Sequence, residues 1–171
     1  MSLFPYRGHM PVVHPSGYVA PTASIIGAVT VGEESSVWFG AAIRGDVMPI
    51  HVGARTSIQD NAVVHATHDW QETRIGDDCT VGHGVILHGC HIHDRVLVGM
   101  GTIVLDAAEI GEDVILGAGS LVTARTRIPP GVMAFGRPAK PVRDLTDAER
   151  ASIGEAAAHY QKLVRDYRGG A

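Results

Sequence analysis

The chain has 171 residues, a mass of 18.1 kDa and 45% hydrophobic residues, which predicts one domain with a buried core and leaves no room for a second. A net charge of -4 without any local basic run argues against a nucleic-acid partner or an anionic membrane surface. The N-terminus has no charged segment followed by a long apolar run, and no stretch approaches the roughly 18 apolar residues that span a bilayer. We therefore expect a soluble cytoplasmic protein that binds small molecules and neither nucleic acid nor membranes.

Aliphatic residues recur every six positions along most of the chain, often with glycine directly after them. The series comprises Val19, Ile25, Val31, Val37, Ile43, Val52, Ile58, Val64, Ile75, Val81, Leu87, Ile92, Val98, Val104, Ile110, Leu116, Val122 and Ile128. The six-residue spacing has three extra residues within RGDVMPIH, is interrupted by the loop ATHDWQETR, and is one residue shorter directly after Leu87. A six-residue period fits neither a helix nor a long strand, and it predicts short strands separated by sharp turns.

Three such units make one triangular coil of about 18 residues, with each strand about 4.8 Å from its equivalent in the next coil. Glycine accepts the left-handed backbone angles that sharp corners need, and Asp, Asn and Ser are expected at the other corners. The pattern resembles the left-handed parallel β-helix of hexapeptide-repeat proteins over roughly residues 10–140. The handedness rests on this resemblance alone, because parallel crossovers are right-handed in nearly all other folds.

A proline-rich segment, RIPPGVMAFGRPAKPVRDL, ends the repeats, since proline lacks the N–H that a strand ladder needs. Thr146 and Glu149 then form a T-x-x-E capping box. Apolar residues follow at three- and four-residue steps from Ile153 to Tyr167, which predicts an amphipathic helix. The predicted fold class is all-β, a left-handed parallel β-helix domain over residues 1–140, with a C-terminal α-helix within 141–171 packed on it.

Counting the repeat brings two histidines together. If Val64 is the first aliphatic position of one face, Leu87 occupies the same position one coil later. His65 and His88 follow these two residues. Their backbones are therefore expected about 5 Å apart on adjacent coils, which suits two ligands of one metal ion.

A third histidine, His83, lies two residues after Val81 and therefore on another face of the prism. One rigid chain cannot easily bring it to the other two. Three prisms packed about a threefold axis can bring His83 of one subunit to His65 and His88 of its neighbour. Three imidazoles leave an open coordination position, as in catalytic rather than structural zinc sites, so we expect a homotrimer with metal sites between its subunits.

The H-x17-H-x4-H spacing of His65, His83 and His88 occurs together with an RGD at Arg44–Asp46, a QD at Gln59–Asp60, and a GRPAKPVRDL exit. This combination resembles the gamma-class carbonic anhydrases and their close relatives. The resemblance implies a trimeric lyase that interconverts carbon dioxide and bicarbonate. A hydroxide on Zn²⁺, or on Fe²⁺ or Co²⁺, would be the nucleophile, because such an ion lowers the pKa of its water from near 16 to about 7.

The same resemblance implies roles for five further residues. Gln59 would orient the metal-bound water or hydroxide. Arg44 and Asp60 would pair near the subunit boundary, and Asp46 would complete a charge network that either orients Gln59 or holds the trimer together. Tyr160 resembles a family tyrosine that approaches the metal pocket from a helix, and packing in the core is its alternative role.

Three features depart from the family pattern. Val47 follows the RGD where the archaeal type carries a glutamate, and the loop ATHDWQETR lacks that type's longer acidic segment with its proton-shuttling glutamate. His68 or Glu72 could take over the proton transfer. Ser57 stands where many relatives have an asparagine before the QD pair.

Two alternatives to the carbonic anhydrase function remain open. One is an acyl-group enzyme on the same fold, either a coenzyme-A-dependent acyltransferase or a thioesterase. An acyltransferase of this fold needs one histidine as a base and would leave two of the three histidines unexplained, whereas a thioesterase could use the same metal site. The other alternative is a weakly active metal-binding scaffold, which the missing glutamates favour.

Overall fold

The structure is a computed structural model that describes residues 2–169. Its strands, numbered in chain order, are β1 Ser2–Phe4, β2 Val12–Val13, β3 Tyr18–Val19, β4 Ser24–Val31, β5 Ser36–Val37, β6 Ala42–Val52, β7 Ser57–Ile58, β8 Val63–His65, β9 Thr73–Ile75, β10 Thr80–Val81, β11 Ile86–His88, β12 His91–Ile92, β13 Val96–Val98, β14 Ile103–Val104, β15 Glu109–Ile110, β16 Val114–Leu116, β17 Leu121–Val122, β18 Arg127–Ile128, β19 Val132–Gly136 and β20 Ala139–Asp144. One α-helix, α1 Asp147–Gly169, follows them.

The strands wind into a left-handed parallel β-helix of about seven turns, which confirms the predicted fold class. Three faces run along it. The histidine face consists of β1, the first parts of β4 and β6, and β8, β11, β14 and β17, while the polar face consists of β2, the last parts of β4 and β6, and β9, β12, β15 and β18. The helix face consists of β3, β5, β7, β10, β13, β16, β19 and β20, of which only the β19–β20 pairing is antiparallel.

The core is the column of inward-pointing residues that the six-residue period predicts. Every aliphatic residue of the series is buried, with at most 6% of its surface exposed. The predicted stacking is also confirmed, because Leu87 pairs with Val64 on one side and with Val104 on the other. The slip in the period lies inside β6, which turns from the histidine face to the polar face and buries Ile50 as an additional core residue.

One row of corners contains residues that the turn preferences do not predict. Arg55 and Arg95 adopt the left-handed backbone conformation, with φ of 54° and 53°, and they alternate along the row with Asp78 and Asp113, which have φ of 54° and 53°. Each guanidinium donates two hydrogen bonds to the next carboxylate, at 2.7 and 2.8 Å for Arg55 and at 2.7 and 2.9 Å for Arg95. Each left-handed arginine therefore forms a bidentate ion pair with the corner of the next coil.

The C-terminal helix contacts β5 and β10 of the helix face. The capping box is present, because Glu149 N donates to Thr146 Oγ1 at 3.3 Å and Thr146 N donates to the Glu149 carboxylate at 2.9 Å. Ile153, Ala157 and Val164 are buried against the strands.

The division of the chain follows these elements. Since the strands continue to Asp144 and the helix begins at Asp147, we propose a boundary at residues 145–146 rather than at 140. Residues 1, 170 and 171 of the expected domains lie outside the described part. Within residues 2–169, no helix has the length and apolar character needed to cross a bilayer.

The buried column gives a direct test of the fold. Leu87→Ala should lower the free energy of unfolding by about 2–5 kcal/mol, because it leaves a cavity at a fully buried position. Val142→Ala removes part of a side chain that is 54% exposed and should change the stability by less than about 0.5 kcal/mol. Urea unfolding at matched protein concentration measures both, and equal effects of the two substitutions would contradict the assigned core register.

Candidate metal centre

The histidine face brings His65 and His88 to one point. They end β8 and β11, which pair in parallel with His88 directly beside His65. Nδ1 of His65 lies 3.2 Å from Nε2 of His88. Both side chains are partly buried, at 17% and 30% exposure, so the two ring nitrogens meet in a sheltered position next to solvent.

Each of these rings turns its second nitrogen to a carboxylate. Nε2 of His65 lies 3.0 Å from Oδ1 of Asp46, and Nδ1 of His88 lies 3.0 Å from Oδ1 of Asp106. Arg44 donates to the other oxygen of Asp46 at 2.5 Å. Burial alone would raise the pKa of Asp46, but the hydrogen bonds from Arg44 and His65 outweigh it, so the pKa lies below its ordinary value. The Asp46 carboxylate is therefore ionised at neutral pH.

His83 lies on a different edge of the prism, in the turn between β10 and β11. Its Nδ1 is 3.0 Å from Oδ2 of Asp60, which occupies the preceding coil at the same corner. The His83 side chain is 47% exposed. Within residues 2–169 of one chain, no three His, Cys, Asp or Glu side chains converge on a point that could hold a metal ion.

Gln59 and Tyr160 line an open groove on the helix face that also includes His83. The groove has a volume of about 450 Å³, and apolar residues such as Leu97 and Ile115 dominate its walls. Gln59 itself is only 5% exposed. Tyr160 packs edge-on against Trp38 with ring centroids 5.6 Å apart, so it contributes to packing and borders the groove at the same time. Burial, and secondarily the charge of Asp60, raises the pKa of Tyr160.

Within one chain the charge network differs from the expected pairing of Arg44 with Asp60. Arg44 bonds to Asp46, and Asp60 bonds to His83. A contact between Arg44 and Asp60 would therefore have to form between subunits. Ser57 accepts a hydrogen bond from Trp38 Nε1 at 3.0 Å, so it takes part in packing behind the groove.

Three other histidines have partners of their own. His91 and His93 stack on the polar face with ring centroids 4.1 Å apart, and His93 Nε2 is 3.2 Å from Glu109. In the loop after β8, the exposed His68 pairs with Asp69 at 2.9 Å. Each of these three histidines therefore contacts another ring or a carboxylate at the protein surface.

Comparison with known proteins places the chain in a family. The family model "Bacterial transferase hexapeptide (six repeats)" matches residues 89–124. A carbonic anhydrase of Geobacillus kaustophilus is 48% identical over 97% of this chain and 91% of its own length. The mitochondrial gamma carbonic anhydrase 1 of Arabidopsis thaliana is 42% identical over 91% of this chain, which spans 58% of that relative's length. The chain belongs to the gamma-class carbonic anhydrase-like family of hexapeptide-repeat proteins.

Proteins similar to this chain are named after different activities. A solved structure from Bacillus cereus, of a protein assigned as an acetyltransferase, superposes with a TM-score of 0.96 at 44% identity, over 98% of this chain and 97% of that chain. Such high similarity to differently named proteins confirms the fold and the family but leaves the reaction to be argued from the site.

A gamma-class carbonic anhydrase fold implies a metal ion, and the residues present fit one. Two neutral imidazole nitrogens are suitable ligands for Zn²⁺, Fe²⁺ or Co²⁺. Bonds of about 2.0–2.1 Å at tetrahedral angles would separate two ligand atoms by roughly 3.3 Å. The observed separation between His65 Nδ1 and His88 Nε2 is 3.2 Å. The carboxylates on the far nitrogens match the usual support of metal-binding histidines.

Asp106 and Thr67 are members of this centre that the sequence reasoning missed. Both His88 and the Thr67 hydroxyl contact Oδ1 of Asp106. The signal was available, because Asp106 falls one coil after Gly89, the residue next to His88. A carboxylate at a neighbouring corner does not stand out in the repeat, because Asp is an ordinary corner residue.

Proposed function

We propose that the protein is a metal-dependent homotrimer that reversibly hydrates carbon dioxide to bicarbonate. His65 and His88 of one subunit and His83 of the next would hold one divalent ion at each subunit interface. The observation that supports this most strongly is the His65–His88 pair, whose facing nitrogens lie 3.2 Å apart while a carboxylate engages each opposite nitrogen. Zn²⁺ is the first choice of metal, with Fe²⁺ and Co²⁺ as alternatives.

An apolar column on the histidine face supports the trimer. Val63, Ile86, Ile103 and Leu121 pair in register and point outward beside the two histidines. Val63 and Ile86 are 41% and 37% exposed. A second copy of the chain is the natural occupant of this surface, because the corner that carries His83 adjoins the same face. Packing of the face of one chain against the corner of the next, repeated about a threefold axis, closes a ring.

The chain's own residues would orient the metal ligands, form hydrogen bonds to small oxygen-containing molecules, and transfer protons. A bound ion of this class would lower the pKa of water toward 7 and so supply a nucleophile at neutral pH. With a metal ion bound, Asp46 and Asp106 would accept hydrogen bonds from the outer ring nitrogens, and the two facing nitrogens would be the ligands. The Gln59 amide can both donate to and accept from an oxygen. His68 and Glu72 of the loop after β8 are both candidates for proton transfer; His68 pairs with Asp69 at 2.9 Å, and Glu72 pairs with Arg74 at 2.6 Å.

The size of the groove favours one second candidate, a hydrolase of acyl thioesters that uses the same metal site. Carbon dioxide needs only a small apolar pocket, whereas the groove beside Gln59 and His83 has a volume of about 450 Å³ and mostly apolar walls. An acyl chain would bury its methylenes there, at about 0.8 kcal/mol for each CH₂. Its carbonyl carbon would then lie near the three histidines.

One experiment tests the proposal and separates the two candidates. Metal would be removed with a chelator and restored as Zn²⁺, Fe²⁺ or Co²⁺, and carbon dioxide hydration would be followed by stopped flow beside a panel of acyl-coenzyme-A thioesters. We expect about one ion per chain, since a cyclic trimer has as many interfaces as chains, and hydration activity that disappears with the metal. An apo protein that still hydrates carbon dioxide would refute the proposal. Activity on thioesters alone would favour the second candidate.

A further inference from the structure

We propose that Asp106 and Thr67 are positioning residues that fix the orientation and tautomer of His88 for metal binding. This inference rests on the proposed function, because it concerns the same ion. The loop after β8 would then have a structural role in the metal site in addition to its candidate proton-transfer groups.

The contact between Asp106 and His88 selects one tautomer. Oδ1 of Asp106 lies 3.0 Å from Nδ1 of His88, and an ionised carboxylate can only accept a hydrogen bond. Nδ1 must therefore carry the hydrogen, which leaves the lone pair on Nε2. Nε2 is the nitrogen of His88 that faces His65. The contact thus presents the correct nitrogen at the position where the metal would bind.

Thr67 in turn holds Asp106. Its hydroxyl donates to the same oxygen, Oδ1, that accepts from His88. Two donors on one oxygen leave the carboxylate little freedom to rotate away.

The backbone provides the space that this arrangement requires. Gly89, directly after His88, has a left-handed φ of +57° and stacks on Asp106 in the next coil. A Cβ atom at this position would collide with Oδ1 of Asp106. A residue with a side chain would thus force the carboxylate off His88.

Two sets of contacts hold the loop that contains Thr67. Thr67 and Gln71 exchange backbone hydrogen bonds of 3.2 and 3.3 Å. Trp70 stacks under the guanidinium of Arg125 at 5.2 Å, one coil beyond Asp106. The short loop therefore contacts both the coil that follows His88, through Asp106, and the coil after that, through Arg125.

The test measures zinc affinity of the trimer by competition with a chelator. Asp106→Asn should weaken binding about 10–100-fold, the usual effect of losing a group that orients a ligating histidine. Thr67→Val, which keeps the size but removes the hydroxyl, should weaken it in the same direction, and Thr67→Ser should restore it. Glu109→Gln is the matched control, since it removes a carboxylate–histidine contact of 3.2 Å on the polar face and should leave affinity unchanged.

A second readout does not need the metal. Side-chain ¹⁵N NMR of the apo protein should show His88 with hydrogen on Nδ1 in the wild type and a mixture of tautomers in Asp106→Asn. If the wild type binds zinc but Asp106→Asn and Thr67→Val bind it equally well, the inference is wrong and the proposed function stands. If the wild type shows this tautomer but binds no zinc, the proposed function fails and the positioning of a metal ligand fails with it. Should Asp106→Asn not fold, Thr67→Val against Thr67→Ser decides.

Discussion

Two inactive variants should restore activity when their subunits are combined. We expect His83→Ala and the double variant His65→Ala/His88→Ala each to lose metal, and to lose carbon dioxide hydration by more than the roughly 100-fold that supporting residues of a metal site can cost. Each should remain trimeric, because none of the three side chains belongs to the apolar column on the histidine face. Co-expression of the two should then yield about a quarter of wild-type activity.

The expected fraction follows from the geometry of a shared site. In the proposed cyclic trimer, each site would take His65 and His88 from one chain and His83 from the next. A mixed trimer therefore contains one intact site of three, whichever variant is in the majority. Random assembly of equal amounts makes about three quarters of the trimers mixed, which gives about one quarter of all sites.

The control uses the same variants without exchange of subunits. Separately purified trimers that are mixed after assembly should stay inactive until they are dissociated and reassembled. Metal content should follow activity in both preparations. If co-expression restores nothing although the trimers are mixed, all three histidines act within one chain or the ion lies elsewhere, and the site between subunits is refuted.

The fold could be predicted almost completely from the sequence, for a physical reason. In a β-helix the same contact repeats in every coil, so the six-residue period predicts the central column of core residues from Val19 to Ile128, while Ile50 and Val85 are core residues outside the series. The same counting placed His65 beside His88, because parallel pairing in register is what stacks the coils. The hand of the helix required the resemblance to known proteins, since spacing is identical in both hands.

The side-chain contacts within the site could not be predicted from the repeat. A repeat assigns a residue to a coil and a face, but not the direction in which a long side chain extends from a corner. Arg44 turns to Asp46 rather than to Asp60 within one chain, and Asp106 reaches His88 only because Gly89 has no side chain. Such contacts depend on rotamers and on local space, which periodicity does not describe.

The largest structural effect is expected from Ile86→Asp, which should convert the proposed trimer into folded monomers. Ile86 points outward in the middle of the apolar column, between Val63 and Ile103, and is 37% exposed in one chain. A carboxylate there is solvated in the monomer but would be buried without a partner in each interface, at a cost of several kcal/mol. The neighbouring Leu87 still fills the core, so the β-helix should persist.

Sedimentation measures the oligomeric state of Ile86→Asp, and circular dichroism shows whether its β-helix persists. The mass should fall from three times 18.1 kDa to 18.1 kDa, while the far-ultraviolet spectrum stays that of the wild type. Val12→Asp is the control, because Val12 is 62% exposed on the polar face and should leave the trimer intact. Carbon dioxide hydration should disappear with the trimer, since His83 of one chain can then no longer join His65 and His88 of another chain. A monomer with full activity would show that one chain forms the whole site, and a persistent trimer would show that its contacts lie on another face.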